Sequence, residues 1–213
     1  MTLEAAQLAG ARGGRALFSG LDFTVGAGEA LWLRGANGSG KSSLLRMLAG
    51  LAEPAAGTVR WRGRDLHRQR DGHLRELLFI GHAPGLKDDL SASENLLFGA
   101  QLAGAPVDAS AVAEALAAVG LDRVARLPVG RLSQGQRRRA ALARLHLARQ
   151  ARLLLLDEPF AALDQASVAA LVATLDRLLA NGASLIYTTH QPQTLAATQL
   201  HAVDLDAHRP RPC

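Results

Sequence analysis

Three short stretches of this 213-residue chain carry residue types at spacings suited to chemistry on a phosphate ester. The first is Gly35-Ala36-Asn37-Gly38-Ser39-Gly40-Lys41-Ser42, followed by Ser43, which matches G-x-x-x-x-G-K-[ST] in full. Its glycines let backbone N–H groups converge on one anion, and a helix opening behind the loop adds the partial positive charge of its N-terminus. Lys41 is expected to reach the β and γ phosphates, and the Ser42 hydroxyl to ligate Mg²⁺. Only Lys41 and Lys87 are lysines among 24 Lys and Arg residues, so lysine inside the loop reads as a chemical requirement.

The second stretch is Asp157-Glu158, directly after the apolar run Leu153-Leu154-Leu155-Leu156. Side chains leaving the carboxyl edge of a parallel sheet stand where open α/β folds bind ligands. Asp157 is expected to hold Mg²⁺ through water and Glu158 to polarise an attacking water, a role worth on the order of 10² to 10⁴ in rate. Alone, such a pair also suits a helix-capping acid cluster; the phosphate loop upstream favours catalysis. The third stretch, Leu132-Ser133-Gln134-Gly135-Gln136, stands at the opening of a helix expected over Arg137–Gln150. A hydroxyl and unpaired N–H groups there would face an anion, although a plain capped helix explains the same residues.

These groups need elements to position them. Ala30-Leu31-Trp32-Leu33 runs into the glycine loop as a strand, and Leu44, Leu45 and Leu48 recur at helical spacing until Gly50. Leu17-Phe18, Leu21, Phe23, Val25, Val59 and Trp61, punctuated by Gly57 and Gly63, predict a small antiparallel sheet beside the core. Leu77–Ile80 predicts a buried strand, and residues 82–95 read as loop. Asp108 can cap a helix carrying Val112, Leu116 and Val119, which Gly120 ends. Val168, Leu171, Val172, Leu175, Leu178 and Leu179 form one helix face before Asn181-Gly182 and the strand Leu185–Thr188. Alternation of strand and helix predicts an α/β fold with a parallel core. One domain over 1–213 is expected, with its core at about 1–84 and 141–213 and a mostly helical insertion at about 85–140.

Composition narrows the function classes. A chain 48% hydrophobic and 20% charged suits a packed globular protein. The net charge of +5 could signal a nucleic-acid partner, but arginine is scattered and Arg137-Arg138-Arg139 is the one dense run, so no nucleic acid is expected. Cys213 is the single cysteine, which excludes an intrachain disulfide. No secretory signal and no run of 18 apolar residues is legible, so neither export nor membrane spanning is expected.

The order of loop, Leu132–Gln136 and acidic pair resembles the ATP-hydrolysing subunits of ABC transporters, whose signature reads Leu-Ser-Gly-Gly-Gln and differs here only at Gln134. That resemblance implies a P-loop NTPase (RecA-like) core with an N-terminal antiparallel β subdomain and a helical insertion. It also implies that the signature acts on ATP held by another subunit, so a second copy of the chain would face the first head to tail with two-fold symmetry. Ala162-Leu163-Asp164 is similar to the family's dimer-crossing loop, and His190 to its switch histidine, which contacts the γ-phosphate and the catalytic water. Two departures stand out. Where the family stacks an aromatic on adenine, this chain has Ala11-Arg12-Gly13-Gly14-Arg15, with the Arg12 guanidinium able to stack instead; where it places a Mg²⁺-contacting glutamine, this chain reads Gly81-His82-Ala83, and His82 or water would substitute.

Gly81–Lys87, Leu90–Leu96, Leu17–Leu21, Leu127-Pro128-Val129 and Thr188–Pro192 further resemble the haem-exporter ATP-binding subunits of cytochrome c biogenesis. This implies a membrane subunit CcmB, with CcmC and CcmD, a peripheral position on the cytoplasmic face of a bacterial inner membrane, and hydrolysis that drives haem export or haem-chaperone release. His67, His73, His82 and His146 read as surface or core residues and not as haem ligands. The residues leave open the ATPase subunit of another transporter and a soluble ABC ATPase acting on nucleic acid.

Overall fold

The computed structural model describes residues 2–66, 68, 75–191 and 193–210; His67, His73, Pro192 and Cys213 lie outside them. Five parallel strands form the central sheet: β3 (Ala30–Arg34), β6 (Leu77–Ile80), β7 (Leu153–Leu156), β8 (Ser184–Thr188) and β9 (Leu200–Asp204), in the order β6-β7-β8-β3-β9. Every residue of β7 and β8 is buried, as a parallel strand covered on both faces requires. Strand alternation sends Leu153, Leu155 and Ile186 to one face and Leu154, Leu156, Leu185 and Tyr187 to the other.

The first face packs against α1 (Lys41–Leu48) and a second, antiparallel sheet of β1 (Thr2–Arg12), β2 (Arg15–Gly26), β4 (Ala56–Trp61) and β5 (Arg64–Asp65), in the order β2-β1-β4-β5. The apolar pattern predicts this sheet only from Leu17 onward, so β1 is an additional strand. Its run Thr-Leu-Glu-Ala-Ala-Gln-Leu-Ala-Gly-Ala-Arg has low strand propensity, yet it pairs with β2 on one edge and β4 on the other and buries Leu3 and Leu8.

The other face carries α6 (Gln165–Ala180), with Leu171, Leu175 and Leu179 buried against the sheet. A third apolar cluster joins α2 (Ala92–Leu102), α3 (Ala109–Ala118) and one side of α4 (Gln134–Leu142). Helix α2 begins inside the stretch read as loop. Its start is a capping box: the Ser91 hydroxyl accepts the Glu94 N–H, and the Glu94 carboxylate accepts the Ser91 N–H. The helix expected over Arg137–Gln150 starts earlier, at Gln134, and breaks at Ala143, continuing only through α5 (Arg144–Leu147). Among the described residues no helix is long and apolar enough to cross a membrane.

Candidate active site

The phosphate loop leaves β3 and turns into α1 at Gly40, whose φ of 107° lies in the left-handed region and whose added Cβ would stand 3.0 Å from the buried Phe18 ring. Glycine satisfies both conditions. Lys41 Nζ donates to the Gly35 and Ala36 carbonyls at 2.7 and 3.1 Å, so the ammonium lies over the mouth of the loop. Ser39 is buried with an unpartnered Oγ, while Ser42 is exposed at the start of α1 and Ser43 is half-buried. Asn37 and Gly38 form the exposed crest. Asp206, from the turn after β9, accepts the Ala36 N–H at 2.7 Å and anchors the loop from far along the chain.

β3, β8 and β7 are neighbours, so the phosphate loop, Thr188–His190 and Asp157-Glu158 all emerge from the same sheet edge within two strand spacings, about 10 Å. Asp157 is buried, and its Oδ1 accepts the Thr188 hydroxyl at 2.8 Å. The same hydroxyl oxygen accepts the Glu158 N–H at 2.8 Å. Glu158 has φ 50°, an uncommon conformation for a residue with a side chain, of the kind that persists where surrounding contacts over-determine it. Its carboxylate faces His190: Oε2 accepts the His190 N–H at 3.3 Å and Oε1, buried without a hydrogen-bond partner, stands 3.5 Å from His190 Nε2. The His190 ring is itself exposed at the edge of the site.

At the opening of α4, the Ser133 Oγ accepts the Gln136 N–H at 3.2 Å and Gln136 Oε1 accepts the Ser133 N–H at 2.9 Å. Ser133 therefore keeps its own hydroxyl hydrogen to donate outward. Leu132 is buried beneath this cap, Gln134 is exposed, and Gly135 passes so close to the 157–164 turn that an added Cβ would stand 2.9 Å from the Ala162 carbonyl. Asp164, at the end of that turn, accepts the Ser167 N–H at 2.8 Å as the cap of α6, and this bond holds its carboxyl below the usual range. A groove of about 470 Å³ runs between His82–Asp88, Gln134 and Glu158–Ala162. Arg12 and Arg15 face each other, exposed, at the tip of the β1–β2 hairpin.

The arginine run proves to be internal wiring. Arg137 donates to the Leu132 and Gly130 carbonyls, Arg139 to the Val119 carbonyl, and Arg138, only 5% exposed, to the Gly81 and Asp157 carbonyls. Burial lowers the pKa of the Arg138 guanidinium, opposed by the charges of Asp157 and Glu158. Sequence reasoning assigned no site role to Arg138, Thr188 or Asp206, since each acts on a segment remote in sequence; the cap motif at Ser91 was the one missed signal that lay in plain local view.

The ABC transporter family matches residues 18–161. A cytochrome c biogenesis ATP-binding export protein CcmA of Pseudomonas aeruginosa is 49% identical over 92% of this chain and 97% of its own length. The protein of that name from Escherichia coli K12 is 45% identical over 97% and 98%. Among solved structures, an ATP-binding subunit of an ABC transporter superposes with TM-score 0.79 at 27% identity over 89% of this chain and 80% of its own. A dimeric ATP-binding cassette bound to ADP and Pi in a post-hydrolysis state has the same fold, with TM-score 0.79 at 23% identity over 89% and 88%.

Proposed function

Because the chain belongs to the ABC transporter family, in the branch of the cytochrome c biogenesis ATP-binding export proteins, we propose that it drives haem export or haem-chaperone release by hydrolysing ATP in a two-copy assembly. The carrying observation is the Asp157–Thr188–Glu158–His190 constellation beside a complete phosphate loop on adjacent strand ends.

In this reading the loop N–H groups from Gly38 to Ser43 and the Lys41 ammonium hold the phosphates. Ser42 and Asp157 offer hard oxygen donors of the kind Mg²⁺ takes alongside phosphate and water, and they would hold that ion. When bound, Mg²⁺ neutralises charge on the phosphate oxygens. Glu158 orients the attacking water and accepts its proton, and His190, held to the Glu158 carboxylate, contacts the γ-phosphate. Ser133 completes the site from a second copy: its free hydroxyl hydrogen and the exposed start of α4 face the phosphates of the partner's nucleotide, with Asp164 in the turn that crosses between copies. A closed, two-fold pair meets this need because each copy carries one loop and one signature.

The chain is then one ABC ATPase domain, with its core at about 1–84 and 141–213 and a helical insertion at 85–140. The third apolar cluster supports that division, with Ala143 and Leu147 reaching into it from the core side. The subunit would sit peripherally on the cytoplasmic face of the inner membrane against CcmB, with CcmC and CcmD in the same complex. Its test is Glu158→Gln, expected to retain ATP, accumulate as a dimer and lose turnover by about 10² to 10⁴. Parent-like steady-state turnover would remove Glu158 from the role of base.

A further inference from the structure

The single peptide unit between Asp157 and Glu158 is held at both ends. Its N–H, on Glu158, donates to Thr188 Oγ1 at 2.8 Å. Its carbonyl, on Asp157, accepts from Arg138 Nη2 at 2.6 Å. Rotation of this plane is what changes the Glu158 φ, so the two bonds together fix a left-handed conformation, φ 50°, that is uncommon for a residue with a side chain.

Arg138 belongs to neither strand. It lies on α4, the helix that Ser133 opens, and its Nη1 holds the Gly81 carbonyl at 3.0 Å. Gly81 follows β6 as Asp157 follows β7, and these strands pair in register, Ile80 with Leu156. One planar guanidinium thus spans the carboxyl ends of two adjacent strands just beyond their last ladder bond, that of the Asp157 N–H to the Ile80 carbonyl. Its anchorage depends on where α4 sits, and α4 shares its buried face between the central-sheet cluster and the third cluster.

We propose that Arg138 is a positioning residue that makes the orientation of Glu158 conditional on the seating of α4, so that the helix presenting Ser133 to one nucleotide sets the general base for the other. The inference rests on Glu158 being that base. A displaced α4 withdraws the guanidinium from the Asp157 carbonyl, frees the peptide plane and lets Glu158 relax out of its left-handed conformation. A planar two-donor fork is required: lysine brings the charge but cannot reach both carbonyls in that geometry.

The test compares Arg138→Lys and Arg138→Met in the full chain purified with its membrane complex, in parent and Glu158→Gln backgrounds. It reads kcat, affinity for a fluorescent ATP analogue, and thermal midpoint. Arg138→Lys is expected to lower kcat about ten- to a hundredfold with nucleotide affinity within about twofold, and to add little to the loss already caused by Glu158→Gln. Arg138→Met is expected to lower kcat at least as far. Parent-like kcat in Arg138→Lys overturns the inference, as do additive losses in the double variant. So does a joint fall of kcat, affinity and midpoint in both variants, which marks a role in folding alone. Full turnover by Glu158→Gln alone overturns instead the assignment of the base, so the two failures are distinct.

Discussion

Thr188→Val removes one oxygen while nearly preserving volume, and the structure sets what that oxygen is worth. Thr188 is fully buried at the end of β8. Its hydroxyl donates to the Asp157 carboxylate and accepts the Glu158 N–H, both at 2.8 Å. A hydrogen bond to a charged group contributes about 1.5–3 kcal/mol, and an N–H left without a partner costs about 1 kcal/mol at the partly buried end of the range. Taking about 3 kcal/mol for the pair and roughly 2–4 °C per kcal/mol for a domain of this size, the midpoint should fall by about 6–12 °C. Turnover should fall as well, because Asp157 loses the bond that orients its Oδ1 and Glu158 loses one of the two anchors of its peptide. Thr188→Ser keeps the hydroxyl and loses a methyl, so its turnover should remain within a few-fold of the parent. Differential scanning fluorimetry and a phosphate-release assay on the three proteins read both effects. A Thr188→Val protein that melts within about 2 °C of the parent and turns over normally would refute the reasoning, since no relay through Thr188 could then exist.

Further outcomes can be measured on the same preparation. Lys41→Ala removes the ammonium over the loop mouth and should weaken nucleotide binding about ten- to a hundredfold in a titration, the equivalent of one charge-assisted bond. Leu155→Ala opens a cavity in the middle of a fully buried strand and should cost about 2–5 kcal/mol in a denaturant melt with little change in nucleotide affinity at low temperature. Burial, followed by the nearby Arg177 charge, holds the His146 pKa below its ordinary value. The native state therefore binds fewer protons than the unfolded chain below about pH 6.5, and stability should decline as pH falls from there through the native pKa. His146→Asn should flatten that decline; an unaltered slope in pH-dependent melts would exclude His146 as its source.

Legibility in the sequence followed the range of the interactions. The phosphate loop, the four-leucine strand, the Asp108 cap and the α6 face were readable because each depends on residues within a turn or two of one another. β1 was not, because nothing in its alanine-rich run favours a strand until β2 and β4 supply edges to pair with. The role of Arg138 within the dense Arg137–Arg139 run was hidden for the same reason: the carbonyls at Gly81 and Asp157 that receive it are placed by strands distant in the chain. The split of the signature helix at Ala143 also depends on packing, since Ala143 and Leu147 turn into the third cluster while Leu142 and Leu145 turn into the second.

The chain alone thus singled out Lys41, Ser42, Asp157 and Glu158 as the groups proposed to meet a nucleoside triphosphate, with Ser133 and His190 added through resemblance, and an α/β core to hold them. How the acidic pair is held came from the fold. A peptide plane between Asp157 and Glu158 can be fixed at both ends only when Thr188 and Arg138 arrive from β8 and α4, and long-range hydrogen bonds of that kind leave no periodicity or spacing in the chain.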